Sequence, residues 1–266
     1  MKIINKEMLN LLDLDIFKLI SSASEELNLE TFIVGGFVRD LILNNKLNKD
    51  IDIMCVGSGI DLAKAFHSRI KPDVTPSKIN IYKRFGTAMI SHDNYKIEFV
   101  GARKESYSKD SRNPSIEMGS FMDDMLRRDF TINTLAISLN TKTFRHLIDT
   151  FDGINNLEKG VITTPTEPDK TFIDDPLRML RAVRFACQLG FQIDKKTTKS
   201  IIKNSDRINI LSYERIADEI NKILMTKTPS NGFKNLDKLI EKCTELPNTI
   251  FFSNYYFTKK YKKNRF

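Results

Sequence analysis

Two aspartates, Asp50 and Asp52, stand two residues apart in a segment rich in β-branched residues. Because side chains alternate along a strand, this spacing places both carboxylates on one face. Neighbouring carboxylates repel unless water or a cation compensates them, and Mg²⁺ takes such oxygen ligands beside substrate phosphates. Glu98, in the β-like run 95–100, offers a third catalytic carboxylate. The pattern predicts a magnesium site; the alternative for each residue is a solvated position on an exposed strand.

A second segment, residues 33–40, reads IVGGFVRD. A strand that ends in glycines and runs into a helix exposes backbone N–H groups at the helix N-terminus, where Gly35 and Gly36 would let a phosphate approach closely. Arg39, one helical turn later, could add a bidentate contact to that phosphate. The spacing matches neither GxGxxG nor GxxxxGK[ST], so an ordinary tight turn is the alternative.

Arg127, Arg128 and Asp129 follow a polar stretch and precede an apolar run. We expect a helix to begin there, capped by Asp129 or Thr131. Two adjacent arginines at a helix start suit a triphosphate, with Asp129 orienting one of them. A surface charge pair is the alternative.

The segment from Asp175 to Arg178 opens the most informative helix, since Pro176 fits a first helical turn. Positions three apart lie on one side of a helix, so Asp175 and Arg178 present an acceptor beside a fork of donors. Cytosine and adenine both show an acceptor ring nitrogen beside an amino donor, whereas uracil and guanine show N–H beside a carbonyl. The pair therefore predicts selection of C and A, and a surface ion pair is the alternative. Arg181 and Arg184 extend a basic row that repels itself unless phosphates meet it.

These candidates require a sheet in the front half of the chain and helices behind it. Short runs rich in β-branched and aromatic residues predict a mixed sheet with strands at 31–34, 51–56, 79–85, 88–90 and 95–100. The polar stretch 101–119 is predicted to be a mobile loop. From Asp175 onward the apolar residues recur with a helical period, and the basic, aromatic ending 246–266 is unlike a finished core.

Composition bounds the class of protein. A chain of 266 residues with 41% hydrophobic and 29% charged residues can fold around an enzyme-sized cleft, and its net charge of +8 favours a polyanionic partner. The three cysteines, Cys55, Cys187 and Cys243, are too few and too far apart for a disulfide framework or a CxxC zinc site, which fits the cytoplasm. Acidic residues interrupt the first segment and no long apolar run exists, so we expect neither a signal peptide nor a membrane span.

Taken in order, these segments resemble the family of class II tRNA nucleotidyltransferases (CCA-adding enzymes) and bacterial poly(A) polymerases, whose pattern includes GGxVRD, DxD, RRDFTIN, EDxxR and ERIxxE. The matching segments are residues 35–40, 50–52, 127–133, 174–178 and 214–219. The resemblance implies an α+β fold: a polymerase-β-like nucleotidyltransferase head with a mixed β-sheet, followed by an all-helical neck. We expect the head at 1–160, the neck at 161–228, and a short remnant of the family's body with a basic aromatic tail at 229–266. Asp174 departs from the pattern, which has Glu there.

The resemblance also implies roles. Asp50 and Asp52 would hold Mg²⁺. The nucleotide would be bound by Gly35, Gly36, Arg39, Arg127, Arg128, Asp129, Asn133, Asp175, Arg178, Arg181 and Arg184. The activity would be template-independent addition of C and A to the 3′ end of tRNA from CTP and ATP, with release of pyrophosphate. Alternatives are a poly(A) polymerase, an A-adding or CC-adding specialist, and an RNA-binding remnant without catalysis. Family members grip tRNA with a helical body and tail, so a partner chain could supply that part here.

Overall fold

The computed structural model describes residues 10, 12–44, 47–70, 78–106, 115–230 and 232. The chain divides into two compact units, with the boundary between Lys159 and Gly160. The first unit holds the described residues up to Ser106 and from Ser115 to Lys159, and the second holds those from Gly160 onward. The basic aromatic tail predicted at 246–266 lies outside the described residues.

A seven-stranded mixed sheet forms the first unit. Its strands, in chain order, are β1 (Thr31–Val34), β2 (Asp50–Cys55), β3 (Lys78–Tyr82), β4 (Thr87–His92), β5 (Tyr95–Gly101), β8 (Ala136–Ser138) and β9 (Leu147–Ile148). Across the sheet they run in the order β3, β4, β5, β2, β1, β8, β9. Only the pair of β2 and β5 is parallel among the neighbours of this sheet. The mixed sheet and the five strands predicted from the sequence are confirmed, except that the strand predicted at 79–85 ends at Tyr82 and residues 83–85 form a 3₁₀ turn.

The helices of the first unit are α1 (Asp15–Glu26), α2 (Gly36–Asn44), α3 (Gly59–His67), α4 (Phe121–Leu126) and α5 (Gly153–Lys159). The main core lies on one face of the sheet, where the Phe66 ring of α3 meets Phe99 of β5 at 5.5 Å between centroids. Phe17 of α1 meets Phe37 of α2 edge to face at 5.9 Å. Burial of such large apolar side chains, each contributing about 1.5–3 kcal/mol, fixes this face.

The opposite face of the sheet is only partly covered. A smaller buried cluster lies under α4 and contains Phe32, Val34, Met54, Ala102, Met125 and Ala136. Asp50 and Asp52 share this face with Met54, because residues two apart on a strand point the same way. The sheet therefore packs a helix against one part of this face and leaves the aspartates exposed.

The loop predicted at 101–119 is wrong at both of its ends. Residues 103–106 and 115–118 form an antiparallel hairpin, β6 (Arg103–Ser106) and β7 (Ser115–Met118), while 107–114 lie outside the described residues. Gly119 permits the hairpin, because a Cβ there would lie 2.6 Å from the carbonyl carbon of Arg103. The two strands, RKES and SIEM, contain a single β-branched residue, Ile116, which is too few for strand prediction.

The helix predicted to begin at residues 129–131 is also wrong. Residues 131–133 make a single 3₁₀ turn, which no side chain caps, and the chain then enters β8. Pairing with β1 decides the outcome, since Ala136 and Ile137 are buried opposite Val34 and Ile33. Asp129 accepts instead from the backbone N–H of Phe130 at 2.8 Å.

The second unit is mostly helical. Its helices are α6 (Pro168–Asp174), α7 (Leu177–Leu189), α8 (Lys195–Lys203) and α9 (Tyr213–Leu224), with a 3₁₀ turn at Ser205–Ile210. The two-residue strands β10 (Val161–Ile162) and β11 (Gln192–Ile193) add a short parallel ladder that the all-helical expectation did not include. The predicted apolar stripe of α7 is buried and packs against α9. Each helix in the described ranges is too short or too polar for a bilayer-spanning role.

Candidate active site

Three carboxylates share the uncovered part of the sheet. Asp50 and Asp52 are exposed on either side of the buried Ile51, which confirms that they lie on one face. The parallel register sets Glu98 of β5 directly opposite Asp52, and it sets Lys96 opposite Asp50. Opposed residues of neighbouring strands project from the same face, so four charged side chains surround one spot.

The surroundings of Asp52 disfavour the ionised form of its carboxyl. Desolvation raises the pKa of the Asp52 carboxyl, and the charges of Glu98 and Asp50 raise it further, whereas the Arg128 guanidinium lowers it. The net direction is upward from the ordinary value of 3.8. The side chain is nonetheless exposed, so water reaches the carboxylate. A cation would relieve the repulsion.

The donor set fits a hard cation that shares its coordination with a substrate. Among the described residues, no group of three His, Cys, Asp or Glu side chains is arranged to hold a metal ion. Asp50 and Asp52 would therefore act as a pair, and Mg²⁺ commonly takes one or two protein carboxylates together with substrate phosphates and water.

Gly35 brings a loop close to Asp52. It has a φ of 75°, in the left-handed region, between β1 and α2. A Cβ added at Gly35 would lie 3.1 Å from Nη1 of Arg128 and 3.4 Å from Oδ2 of Asp52. Gly36 begins α2, a helix of nine residues, and a Cβ there would lie 3.6 Å from Nη2 of Arg39. The two glycines thus set the N-terminal end of a helix beside the carboxylates.

Arg39 is part of the internal framework of this site. It is buried, and its Nη1 donates to Oδ1 of Asn133 at 2.8 Å. Its Nε and Nη2 both lie 2.8 Å from Oδ1 of Asp40. Asn133 in turn donates to Oδ1 of Asp129 at 2.9 Å, so Asp129 acts on Arg39 through Asn133. The structure brings these three predicted residues together, in a network that fixes α2 against the 3₁₀ turn.

Asp124 is a residue of this site that the sequence interpretation missed. Its side chain is fully buried in α4, and each of its oxygens holds one arginine. Oδ1 accepts from Nε and Nη2 of Arg127 at 2.8 and 2.6 Å, and Oδ2 accepts from Nη2 of Arg128 at 2.9 Å. The two guanidinium groups outweigh burial, so the pKa of Asp124 is lowered. The spacing of Asp124 to Arg127 and Arg128, three and four residues on a helix, was the signal that could have revealed it.

Further contacts tie the two arginines to neighbouring elements. Nη1 of Arg127 donates to Oε1 of Glu105 in β6 at 3.0 Å. Nη1 of Arg128 donates to the carbonyl oxygen of Asn133 at 3.3 Å. We call the ion cluster of Asp124, Arg127 and Arg128 the clasp. Arg128 connects this clasp with the turn at Gly35, so its guanidinium lies between the carboxylates of Asp124 and Asp52.

The remaining predicted residues belong to the second unit. Asp175 lies between α6 and α7, and its Oδ1 accepts from the N–H of Leu177 at 3.1 Å. Arg178 is buried, and its Nη1 donates to the carbonyl oxygen of Thr171 at 3.4 Å. The pair stands at the start of α7, as the three-residue spacing predicts.

The row of arginines on α7 has protein partners. Nε of Arg184 donates to Oε2 of the buried Glu219 in α9 at 2.7 Å. The Arg184 guanidinium lies 4.0 Å from the centroid of the Phe185 ring, and that of Arg181 lies 5.3 Å from it. Repulsion along the row is therefore relieved by Glu219 and by an aromatic face, without phosphates. Glu219 was recognised only as part of a motif.

Two family models match this chain. The family model described as "Poly A polymerase head domain" matches residues 31–163, and the one described as "Probable RNA and SrmB-binding site of polymerase A" matches residues 190–239. A CCA-adding enzyme of Pediococcus pentosaceus is 35% identical over 223 residues, which cover 82% of this chain and 53% of the relative. An A-adding tRNA nucleotidyltransferase of Aquifex aeolicus is 34% identical over 221 residues, covering 80% of this chain and 26% of the relative.

Solved structures similar to this chain come from the same family as the relatives found by sequence. The complex of a CCA-adding enzyme with ATP has a TM-score of 0.74 at 30% identity and covers 92% of this chain and 58% of its own. A tRNA nucleotidyltransferase complexed with a primer tRNA and an incoming ATP analogue has a TM-score of 0.73 at 28% identity, covering 93% and 71%. The chain belongs to the family of tRNA nucleotidyltransferases and bacterial poly(A) polymerases. It spans about half the length of the CCA-adding relative and about a quarter of the A-adding one.

Proposed function

We propose that this chain adds C and A to the 3′ end of tRNA, without a template, from CTP and ATP. The observation that carries the proposal is the exposed group of Asp50, Asp52 and Glu98 beside Arg128 and the Gly35 turn. Like-charged carboxylates at this density need a cation, and the neighbouring arginine and helix end suit a polyphosphate. The relatives named as CCA-adding enzymes support the choice of substrates.

The reaction would be attack of the RNA 3′-hydroxyl oxygen on the α-phosphorus of the nucleotide, with pyrophosphate leaving. When bound by Asp50 and Asp52, Mg²⁺ would lower the pKa of that hydroxyl and neutralise charge on the phosphates. Arg128 would bind the triphosphate from the side of the Gly35 turn, where the absence of a Cβ leaves room. We assign Glu98 an electrostatic role, because its charge raises the pKa of Asp52.

Arg39, Asp129 and Asn133 would act by positioning. Their hydrogen bonds fix the start of α2, so its N–H groups keep one orientation towards the triphosphate. Arg127 would serve through Asp124, since both arginines are held by the same carboxylate.

Base selection would belong to Asp175 and Arg178 at the start of α7. The hydrogen bonds of Asp175 to Leu177 and of Arg178 to Thr171 restrict both side chains, which a selective acceptor and donor pair requires. We also propose Arg181 and Arg184 as contacts to the nucleotide. We propose that this work takes place in the cytoplasm.

Addition of A alone is the second candidate. Relatives from Aquifex aeolicus and Geobacter sulfurreducens, 34% and 36% identical, are both named A-adding tRNA nucleotidyltransferases. The two activities differ in whether CTP is used.

The test is incorporation of labelled CTP and ATP, separately and together with Mg²⁺, into tRNA lacking its three terminal nucleotides and into tRNA ending in CC. Sequential addition of C and then A supports the proposal. Use of ATP alone on tRNA ending in CC supports the second candidate, and ATP tails on unrelated RNA indicate a poly(A) polymerase. Absence of incorporation by the folded chain contradicts an activity of this chain on its own, and addition of a lysate fraction then tests for a partner chain.

A further inference from the structure

The uncovered part of the aspartate face continues across three strands to the edge of the sheet. The register aligns Asp50 with Lys96, then with Ser91 of β4, and then with Lys78 of β3. All four side chains are exposed. Neighbouring strands lie about 4.8 Å apart, so the row extends roughly 14 Å from Asp50 to the edge strand. The face is thus an open polar track with the carboxylates at one end.

The edge strand that carries Lys78 ends in exposed aromatic rings. Tyr82, the last residue of β3, is 43% exposed, and Phe85, in the 3₁₀ turn that follows, is 61% exposed. Tyr82 lies on the aspartate face, because it is two and four residues from Asn80 and Lys78 along the strand. Two such rings within four residues at a sheet edge differ from the scattered apolar side chains that ordinary surfaces carry.

The charge of this edge is positive. Residues 78–92 contain Lys78, Lys83 and Arg84 and no Asp or Glu. In the described part of the chain, the ammonium groups of Lys78, Lys83 and Lys96 make no ion pair. Arg84 lies over the Phe85 ring at 5.9 Å. Cations without acidic partners, interleaved with exposed rings, are what single-stranded nucleic acid binds, through its phosphates and its bases.

We propose that the sheet edge formed by β3 and the Lys83–Phe85 turn binds the single-stranded 3′ end of the acceptor RNA, which then follows the open row to Asp50. Tyr82 and Phe85 stack on bases, while Lys78, Lys83 and Arg84 neutralise phosphates. This assignment rests on the proposed function, because it gives the RNA whose 3′-hydroxyl reacts a path to the carboxylates. It concerns binding alone and requires no chemical step.

The test is equilibrium binding of a fluorescent single-stranded oligoribonucleotide and of tRNA lacking its terminal nucleotides, measured in EDTA so that catalysis plays no part. The double variant Tyr82→Ala/Phe85→Ala should bind the oligonucleotide at least about thirtyfold more weakly with an unchanged salt dependence. The triple variant Lys78→Gln/Lys83→Gln/Arg84→Gln should lower the slope of log K against log salt by about 2, at roughly 0.7 per phosphate contact. Met118→Ala, at a residue 81% exposed, and Lys142→Gln, at an exposed lysine, are the matched controls.

Weaker binding by the edge variants and not by the controls, with thermal unfolding unchanged, supports the path. Unchanged affinity and slope in an enzyme that still adds nucleotides overturn the path and leave the proposed function standing. If the edge variants weaken RNA binding but the wild-type chain adds no nucleotides, the path stands and the proposed function is wrong. If the aromatic variant instead converts a dimer to a monomer in sedimentation while RNA binding is unchanged, the edge is a protein interface and the inference is wrong.

Discussion

Asp52 and Asp124 are both close to Arg128, and their acidities shift in opposite directions. At Asp124 two arginines lower the pKa against the effect of burial, and at Asp52 two further carboxylates and desolvation raise it against one arginine. Asp124 belongs to an ion cluster in which two arginines compensate its charge. Asp52 belongs to a cluster with surplus negative charge on an open surface. The difference distinguishes Asp124, a carboxylate that supports the site, from Asp52, a carboxylate that is suited to bind a cation.

The largest expected effect breaks the cluster that has surplus charge. Asp50→Ala should reduce nucleotide incorporation by about a thousandfold, since metal stabilisation of the transition state is worth several kcal/mol at 1.36 kcal/mol per tenfold. Nucleotide binding should survive in part, because the arginines remain. Single-turnover incorporation and filter binding of labelled ATP measure the two. Retained turnover would show that Asp50 is not a metal ligand.

Asp124→Asn should instead act on stability. Loss of the carboxylate removes the acid that two partly buried guanidinium groups share and leaves Arg127 with Glu105 alone, which costs about 3–5 kcal/mol of unfolding free energy. Urea unfolding measures it, with the exposed Glu117→Gln in β7 as the control for loss of an acid. A variant as stable as the wild type would show that the clasp contributes nothing to folding.

Glu98→Gln sharpens the distinction between a ligand and a charged neighbour. If Glu98 acts through its charge, the variant lowers the pKa of Asp52 and keeps incorporation within about tenfold of the wild type, at about 1.36 kcal/mol per pKa unit. Activity as low as that of Asp50→Ala would make Glu98 a third ligand. The pH dependence of incorporation, compared with that of the wild type, reads the shift at Asp52.

The smallest effect is a pH dependence of opposite sign at the two aspartates. A folded pKa above 3.8 gives Asp52 a stabilising contribution that is complete below the unfolded pKa and lost as the pH rises through the folded value. The lowered pKa of Asp124 gives a contribution present above 3.8 and lost as the pH falls through the folded value. As the pH rises from 4 to 7, Asp52→Asn should gain stability relative to the wild type. As the pH falls below 4, the wild type should lose its advantage in stability over Asp124→Asn. Urea unfolding on both sides of pH 4 checks both signs.

Local periodicity was sufficient where one face of an element is buried. The alternation around Ile51 gave the shared face of Asp50 and Asp52, and the helical stripe from Leu177 gave α7. Both depend on neighbours in sequence, so no knowledge of the tertiary structure was needed.

Prediction failed where a segment distant in the sequence determines the local structure. β8 forms because β1 offers it an unpaired edge, and the RRDFTIN segment shows no sign of this. Asp124 looks like an ordinary surface acid in FMDDML, and only the folded chain shows that it is buried between two arginines. The partners of Arg184 are equally remote, since Glu219 lies 35 residues away.

The small cluster under α4 is separate from the main core on the other face of the sheet. α4 has six residues, of which Asp124 and Met125 are buried, and the apolar cluster that it covers is smaller than the main core. Segments with few buried contacts open locally at a free energy well below that of global unfolding. We therefore expect the amides of α4 to exchange with deuterium much sooner than those of β1 and β2. Arg128 would then leave the triphosphate, with Asp124 and Arg127 moving alongside it, through a fluctuation that the rest of the unit does not share.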